Sequence, residues 1–166
     1  MATKDNLQHA FAGESQANRK YLAFSKKADA EGFSQIAKLF RAAAAAETVH
    51  AHAHLRAMNG VKTTEENLNE AVDGEAHEFK TMYPPFVKEA EKEGDKKAEI
   101  SFKYALAVEE IHHHLYQEAL GSIKSGNDLA NKKIFVCEIC GNTVYNEAPE
   151  KCPICGAPKG KFVEIV

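Results

Sequence analysis

A glutamate followed three residues later by a histidine occurs twice in this chain, in Glu47-Thr48-Val49-His50 and in Glu109-Glu110-Ile111-His112. Residues three apart on an α-helix lie on the same face, so each motif presents a carboxylate beside an imidazole. Between the two motifs, Glu75 and Glu78 offer two carboxylates at the same spacing, and Glu14 interrupts an apolar stripe earlier in the chain. Every long helical segment predicted from the sequence therefore carries potential metal ligands.

Apolar periodicity predicts four helical segments, at about residues 4–30, 34–59, 63–93 and 95–124. We expect Ser34 to cap the second helix and Gly60 to end it. Thr63 and Glu66 have the spacing of a capping box that opens the third helix. Pro84-Pro85 is expected to kink the third helix, because a proline inside a helix removes a backbone donor and clashes one turn back.

The second helix is expected to bury one stripe of six residues, namely Ile36, Phe40, Ala43, Glu47, His50 and His54. His113 and His114 point away from the stripe of His112, and the surroundings of His113 are less apolar, so His112 is the expected ligand. His52 is expected to be solvated.

Five glutamates on apolar stripes need a physical explanation. A single one is best explained by a side chain that reaches solvent. Several buried carboxylates together cost several kcal/mol each unless positive charge compensates them, and the sequence offers no matching set of inward Lys or Arg. Two divalent metals can supply that charge, because carboxylates bridge two irons and one imidazole per iron completes the coordination.

A lone glutamate from each of two helices, with Glu-x-x-His from each of the other two, is the donor set of dimetal carboxylate bundles. The sequence therefore predicts a carboxylate-bridged di-iron site. Its expected ligands are Glu14, Glu47, His50, Glu75, Glu109 and His112, with Glu78 as a surplus carboxylate.

The four cysteines predict a small second metal site. Cys137, Cys140, Cys152 and Cys155 form two Cys-x-x-Cys pairs separated by 11 residues, and a glycine follows each pair. This pattern strongly predicts a tetrathiolate site, but its spacing suits zinc and iron equally. One-electron iron is favoured beside a dimetal site that must be re-reduced. Strands are expected at residues 132–136 and 162–166, giving a bundle domain at 1–126 and a linker with the cysteine domain at 127–166.

Composition excludes some functions and favours a location. Lys and Arg total 21 against 24 acidic residues, the formal net charge is −3, and no basic stripe is evident, so nucleic acid is not an expected partner. No apolar run approaches the roughly 20 residues that span a membrane. We therefore expect a cytoplasmic protein whose cysteines bind metal rather than form disulfides.

The chain as a whole resembles the rubrerythrins, in which an all-α four-helix ferritin-like bundle precedes a small β-rich rubredoxin-like metal domain. The motifs that carry the resemblance are residues 10–15, 45–51, 74–78, 82–84, 109–112 and 152–156, which read AFAGES, AAETVHA, GEAHE, MYP, EEIH and CPICG. One position departs from the pattern. Asn142 stands where rubredoxin-like knuckles often carry an aromatic residue, which is expected to shift the reduction potential or to expose the iron.

The resemblance implies a peroxidase that reduces hydrogen peroxide to water in defence against oxidative stress. Electrons are expected to pass through one iron in the tetrathiolate site from an external NAD(P)H-linked reductase or a rubredoxin. Glu78 and His50 are implied to be alternative ligands of one iron, depending on its redox state, and Tyr21 and Tyr83 to hydrogen-bond the ligand carboxylates.

Two other functions remain open from the sequence. One is a ferroxidase or iron-handling protein of the ferritin type, in which the cysteines form a structural zinc ribbon. The other is a binding protein in which both metal sites only stabilise the fold.

The short connection after the second helix predicts a dimer. In a ferritin-like bundle the second and third helices run parallel, so the chain must climb roughly 33 Å back along the bundle. Residues 60–64 with their flanking bonds span at most about 20 Å. We therefore expect a homodimer with swapped helix pairs. If residues 63–74 formed an extended crossover, a single chain could span the distance and no swap would be required. The capping box at Thr63 and Glu66 predicts a helix there instead.

Overall fold

The computed structural model describes residues 2–166, and its regular elements follow the predicted order. They are the helices α1 (Ala2–Ala30), α2 (Ser34–Ala57), α3 (Thr64–His77), α4 (Tyr83–Glu93) and α5 (Lys96–Lys124) and the strands β1 (Ile134–Cys137), β2 (Thr143–Tyr145) and β3 (Phe162–Ile165). A π-helical turn, Glu78–Met82, joins α3 to α4, so the four predicted helical segments are present. Within residues 2–166, no helix is both long and apolar enough to cross a membrane.

The chain divides into two compact units, of which the first ends at Lys62 and the second spans Thr63–Val166. The first unit is the antiparallel pair α1 and α2. The second contains α3, the π turn, α4, α5 and the three strands. Each unit has its own buried residues.

Alanines form the contact between α1 and α2. Ala37, Ala44 and Ala51 are buried at intervals of seven residues, which places them on one face of α2. Small side chains allow the two backbones to approach closely. The amide of Asn18 on α1 reaches across and donates hydrogen bonds to the Ala44 carbonyl at 2.7 Å and to Oγ1 of Thr48 at 2.9 Å.

The expected buried stripe of α2 was therefore wrong in part. Ile36 is 49 % exposed and His50 is also exposed. Phe40, Ala43, Glu47 and His54 are half-buried, as an adjacent stripe would be. The physical reason is that α2 packs on α1 through its alanine stripe, because the larger residues of the expected stripe would keep the two helices farther apart.

Both predicted ends of α2 also differ in detail. The residue at the N-cap is Phe33, and no side chain caps the helix there, so Ser34 is its first residue rather than its cap. At the other end Asn59, with φ 56°, takes the left-handed conformation expected of Gly60. Asparagine tolerates this conformation better than most residues, and the helix ends at Ala57, two residues before the predicted end.

The capping box that opens α3 is confirmed. Oγ1 of Thr63 accepts a hydrogen bond from the Glu66 N–H at 3.3 Å, and the Glu66 carboxylate accepts one from the Thr63 N–H at 3.1 Å. These bonds satisfy two donors that a helix start otherwise leaves unpaired. Helical structure therefore begins at Thr64, and residues 63–74 do not form an extended crossover.

The irregularity expected at Pro84-Pro85 begins earlier, because the helical ladder changes before the prolines. Over Glu78–Met82 the bonding becomes π-helical, and the Tyr83 N–H donates to the Glu78 carbonyl. Both prolines then lie in the first turn of α4, where a missing backbone N–H costs little. The irregular turn thus contains Glu78, the surplus carboxylate.

The boundary between α4 and α5 agrees with the sequence. Gly94 ends α4 in a left-handed conformation with φ 73°, and Oδ1 of Asp95 accepts from the N–H groups of Lys97 and Ala98, both at 3.0 Å. His113 was misjudged, however. It is only 6 % exposed, and its Nδ1 donates to the Val72 carbonyl at 3.0 Å, so it fastens α5 to α3.

The cysteine segment forms an antiparallel sheet with strand order β2-β1-β3. The strand predicted at 162–166 is β3, whereas β1 begins at Ile134, two residues later than expected, and β2 was not predicted. Lys132 ties this sheet to α5. Its ammonium lies 2.6 Å from the Glu118 carboxylate and 4.4 Å from the centre of the Tyr145 ring.

Candidate metal centres

The first unit brings together three predicted ligands, Glu14, Glu47 and His50, which we call the first half-site. One donor atom from each lies within 4.8 Å of the others. Nδ1 of His50 is 2.9 Å from Oε2 of Glu47 and 3.9 Å from Oε1 of Glu14. The pair on α2 is adjacent because the residues are three apart on a helix, and α1 supplies the facing carboxylate.

The second unit repeats this arrangement with Glu75, Glu109 and His112, the second half-site. Their donor atoms also lie within 4.8 Å of one another. Nδ1 of His112 is 2.8 Å from Oε2 of Glu109 and 4.0 Å from Oε1 of Glu75. Each half-site therefore presents two carboxylates and one imidazole in the same relative positions, and these groups can hold a di-iron site.

The electrostatics of the second half-site favour binding of a cation. Burial and the negative charge of Glu109 raise the pKa of Glu75 to about 7. Burial, followed by the charge of Glu109, also raises the pKa of Glu78, and burial with three neighbouring carboxylates raises that of Tyr83. Carboxylates this close repel one another unless a cation lies between them. The donor set therefore fits divalent iron.

Three of the predicted site residues lie outside these groups of close donors. Glu78 is half-buried, and burial together with the charge of Glu109 raises its pKa. It is not among the three close donors of the second half-site. Within residues 2–166, no hydrogen bond joins Tyr21 or Tyr83 to a ligand carboxylate. Their rings instead pack on phenylalanines, Tyr21 on Phe40 and Tyr83 on Phe102.

The four cysteines form a rubredoxin-like site. The Sγ atoms of Cys137 and Cys155 are 3.7 Å apart and those of Cys140 and Cys152 are 3.6 Å apart. These distances are too long for disulfides, whose S–S bond is about 2.05 Å. They match the edge of about 3.8 Å that four sulfurs have around one ion at a metal–sulfur distance of about 2.3 Å.

Burial and hydrogen bonds act against each other at these sulfurs. Burial raises the pKa of the Cys140 thiol. Burial would also raise the pKa of Cys152, but donors that include the N–H groups of Cys155 and Ile154 lower it to about 7. The segment thus already provides hydrogen bonds that stabilise thiolate, the form that binds metal.

Thr143 connects the tetrathiolate segment to the second half-site. Its hydroxyl donates to the Gly141 carbonyl at 3.1 Å, and its Oγ1 lies 2.9 Å from Nε2 of His112. A hydroxyl has one proton, so Thr143 accepts a hydrogen bond from Nε2–H of His112. With its Nε2–H bonded to Thr143, His112 turns Nδ1 towards Glu109, 2.8 Å away, so Nδ1 is the nitrogen that would face a metal, which is how an outer hydrogen bond orients a histidine ligand.

Close packing of this segment on α5 is also evident at Gly141. Its φ of +84° favours glycine, and a Cβ built there would lie 3.6 Å from Cγ1 of the buried Val108. Sequence reasoning missed Thr143, because its partner lies 31 residues away on another element. The only local signal was its place at the start of a strand, directly after a metal-binding knuckle.

Family models match most of the chain. The model described as rubrerythrin matches residues 5–120, and the one described as the rubredoxin-like domain of rubrerythrin matches residues 135–163. The first match contains both half-sites and the second contains all four cysteines.

Individual relatives match over nearly their whole length. Rubrerythrin-2 of Clostridium acetobutylicum is 37 % identical, with 96 % of this chain and 95 % of that protein covered. Nigerythrin of Nitratidesulfovibrio vulgaris is also 37 % identical, with coverage of 97 % and 85 %. Among solved structures, the fully reduced, all-ferrous state of nigerythrin has a TM-score of 0.59 at 35 % identity, covering 98 % of this chain and 86 % of that one.

Proposed function

Since this chain belongs to the rubrerythrin family, we propose that it is a non-haem di-iron peroxidase that reduces hydrogen peroxide to water in defence against oxidative stress. The two half-sites would together hold two irons, and the four cysteines would hold a third. When bound, the iron pair supplies the two electrons that, with two protons, convert one hydrogen peroxide into two water molecules.

The remaining residues have proposed roles around this pair. Glu78 and His50 serve as alternative ligands of one iron, as the resemblance implies. Glu78 lies in the π turn, where departure from the α-helical ladder is often associated with function. Tyr83, whose pKa is raised by burial and nearby carboxylates, keeps its proton. As the resemblance implies, Tyr83 and Tyr21 would donate hydrogen bonds to ligand carboxylates once metal is bound.

The observation that carries this proposal is the hydrogen bond of Thr143 to His112 and its second bond to Gly141. Through these bonds the tetrathiolate segment touches a proposed iron ligand. A relay of single electrons needs such proximity, whereas an iron-handling protein of the ferritin type does not need the cysteine segment at all. The electrons would come from an external NAD(P)H-linked reductase or a rubredoxin.

We further propose that two copies of the chain complete each di-iron site. Glu47 lies about 15 Å along α2 from Ala57, and Glu75 lies about 16 Å along α3 from Thr64, at 1.5 Å per residue. With α2 and α3 parallel in a bundle, the connection must span about 32 Å. From Ala57 to Thr64 it reaches at most about 25 Å. A swapped homodimer, in which α1 and α2 of one copy pair with α3 to α5 of the other, removes this conflict.

Exposed apolar side chains support a second copy as the partner. On α2, Leu39 is 69 % and Val49 is 64 % exposed, and in the second unit Phe86 and Ile100 are 43 % and 49 % exposed. Surfaces of this kind cost free energy in water and are typical of faces that bind another protein. Each unit also has only half of the donor set.

An optical experiment tests the peroxidase. Iron-reconstituted protein is reduced anaerobically and then mixed with one equivalent of hydrogen peroxide. We expect rapid reappearance of the ferric tetrathiolate absorption, because electrons leave that iron to refill the oxidised di-iron site. The control is Glu109→Ala, which retains the four cysteines but lacks a di-iron ligand, and its absorption should return much more slowly.

Two results would contradict the proposal. Iron-loaded protein without a tetrathiolate absorption, or with one that does not respond to peroxide, would favour iron handling by a ferritin-like protein. An equal response in the Glu109→Ala variant would show that peroxide oxidises the tetrathiolate iron directly.

A further inference from the structure

The two halves of the tetrathiolate site have the same backbone. In the first knuckle (residues 137–142), the Cys137 N–H donates to the Asn142 carbonyl at 2.9 Å, and in the second knuckle (residues 152–157) the Cys152 N–H donates to the Ala157 carbonyl at 2.7 Å. The backbone N–H of residue 142 also donates to the Cys140 sulfur, as that of residue 157 does to the Cys155 sulfur. Asn142 and Ala157 are therefore equivalent positions.

Their side chains differ in a way that reaches the metal ligands. Nδ2 of Asn142 donates to Sγ of Cys152 at 3.7 Å, across the site from its own knuckle. The methyl group of Ala157 has no donor. Asn142 is only 1 % exposed, so it does not open the site to water, and its amide is held against the sulfur away from competing solvent. One residue thus contacts three of the four cysteines.

From this asymmetry we infer that Asn142 is a positioning residue that raises the reduction potential of iron in the tetrathiolate site. Ferric iron with four thiolates has a net charge of −1, and uptake of one electron makes it −2 without a proton. An N–H donor to sulfur stabilises the more negative state more strongly, and hydrogen bonds to sulfur are among the main determinants of such potentials. The inference concerns this site within the proposed function.

The equivalence of the two positions supplies the variants. Asn142→Ala places at 142 the residue that the same backbone already holds at 157. Asn142→Leu removes the donor while keeping a branched side chain with the same number of heavy atoms, so no cavity is left. Ala157→Asn offers the missing donor on the opposite knuckle, where the equivalent sulfur is that of Cys137.

The test is a spectroelectrochemical titration of the full-length, iron-reconstituted protein, followed at the ferric tetrathiolate absorption. We expect Asn142→Ala and Asn142→Leu to lower the midpoint potential, so that the ratio of ferrous to ferric iron at fixed potential falls about tenfold, or about 59 mV for one electron. Ala157→Asn should shift the midpoint in the opposite direction, by less, because residue 157 is only half-buried.

Other outcomes would overturn the inference. Unchanged midpoints in both Asn142 variants would show that the amide does not act on the iron. A shift in Asn142→Ala that is absent from Asn142→Leu would attribute the effect to water entering a cavity. The titration needs no peroxide and no di-iron turnover, so its failure is separate from failure of the proposed peroxidase.

Discussion

The Nε2 atom of His112 lies 2.9 Å from the hydroxyl oxygen of Thr143, although 31 residues separate them in the sequence. Because the same hydroxyl donates to the Gly141 carbonyl, it accepts a hydrogen bond from Nε2–H of His112, and Nδ1 of His112 faces the carboxylates. A single side chain thereby fixes the orientation of a proposed iron ligand and joins it to the tetrathiolate segment.

Replacement of Thr143 by valine tests this link. Valine keeps the shape but lacks the hydroxyl, which leaves the imidazole N–H of His112 and the carbonyl of Gly141 without this partner, at a cost of about 1–3 kcal/mol. We expect reoxidation of the tetrathiolate iron by peroxide to slow about tenfold, with the iron content of that site unchanged. Thr143→Ser retains the hydroxyl and should behave like the unaltered chain; equal rates in all three would refute the link.

The histidines of α2 provide a matched pair for the first half-site. In the redox state that uses His50 rather than Glu78 as the ligand, we expect His50→Ala to lose about one of the three irons per chain, whereas His52→Ala should keep all three. Both side chains are exposed on the same helix, but only that of His50 lies beside Glu47 and Glu14. Elemental analysis of the purified variants measures the difference, and equal losses would contradict the assignment.

Glu78 is predicted to matter for turnover more than for metal binding. In Glu78→Ala the close donors of both half-sites remain, so iron content should be nearly unchanged, while peroxide turnover should fall at least about tenfold because one iron loses its alternative ligand. His77→Ala, an exposed neighbour, is the control. Steady-state peroxide reduction with a chemical electron donor gives the rates, and full activity of Glu78→Ala would disprove alternative ligation.

The swapped dimer predicts complementation between inactive chains. Glu14→Ala damages only the first unit and Glu109→Ala only the second. In a mixed swapped dimer, one site receives both damaged units and the other receives two intact ones. Random pairing after co-expression should therefore restore about a quarter of the sites, measured as peroxide reduction by the mixture.

The control for complementation is a mixture of Glu14→Ala with Glu47→Ala. Both changes lie in the first unit, so every site of a swapped dimer would have one damaged half, and no activity should return. If the mixture of Glu14→Ala and Glu109→Ala also stays inactive while dimers form, each chain builds its own site and the swap is wrong.

Local rules were sufficient for much of this molecule. Glu-x-x-His spacing placed both pairs of ligands, since a helix alone brings residues three apart together, and the Thr63 and Asp95 caps followed from side-chain chemistry. Contacts between elements were harder to predict. The alanine stripe of α2 and the burial of His113 depend on which helix packs against which face, and periodicity does not reveal that choice.

The π turn is a second feature that the sequence predicted only in part. Pro84 correctly signalled an irregularity, but the ladder had already changed at Glu78, because the prolines fit the first turn of a new helix without strain. The tetrathiolate site was predictable from the four cysteines. Its contact with His112 was not, because that contact depends on β2, and a strand of three residues is too short to be recognised in a sequence.

The orientation of the tetrathiolate segment gives the site two unlike sides. The first knuckle has exposed residues at Glu138 and Ile139 and leads through Gly141 and Thr143 towards α5, whereas the second knuckle is exposed at Pro153 and Gly156. Under the proposed function, a redox partner would therefore dock at the exposed second knuckle, while the first knuckle contacts α5. The donor would then reduce the tetrathiolate iron without approaching the second half-site.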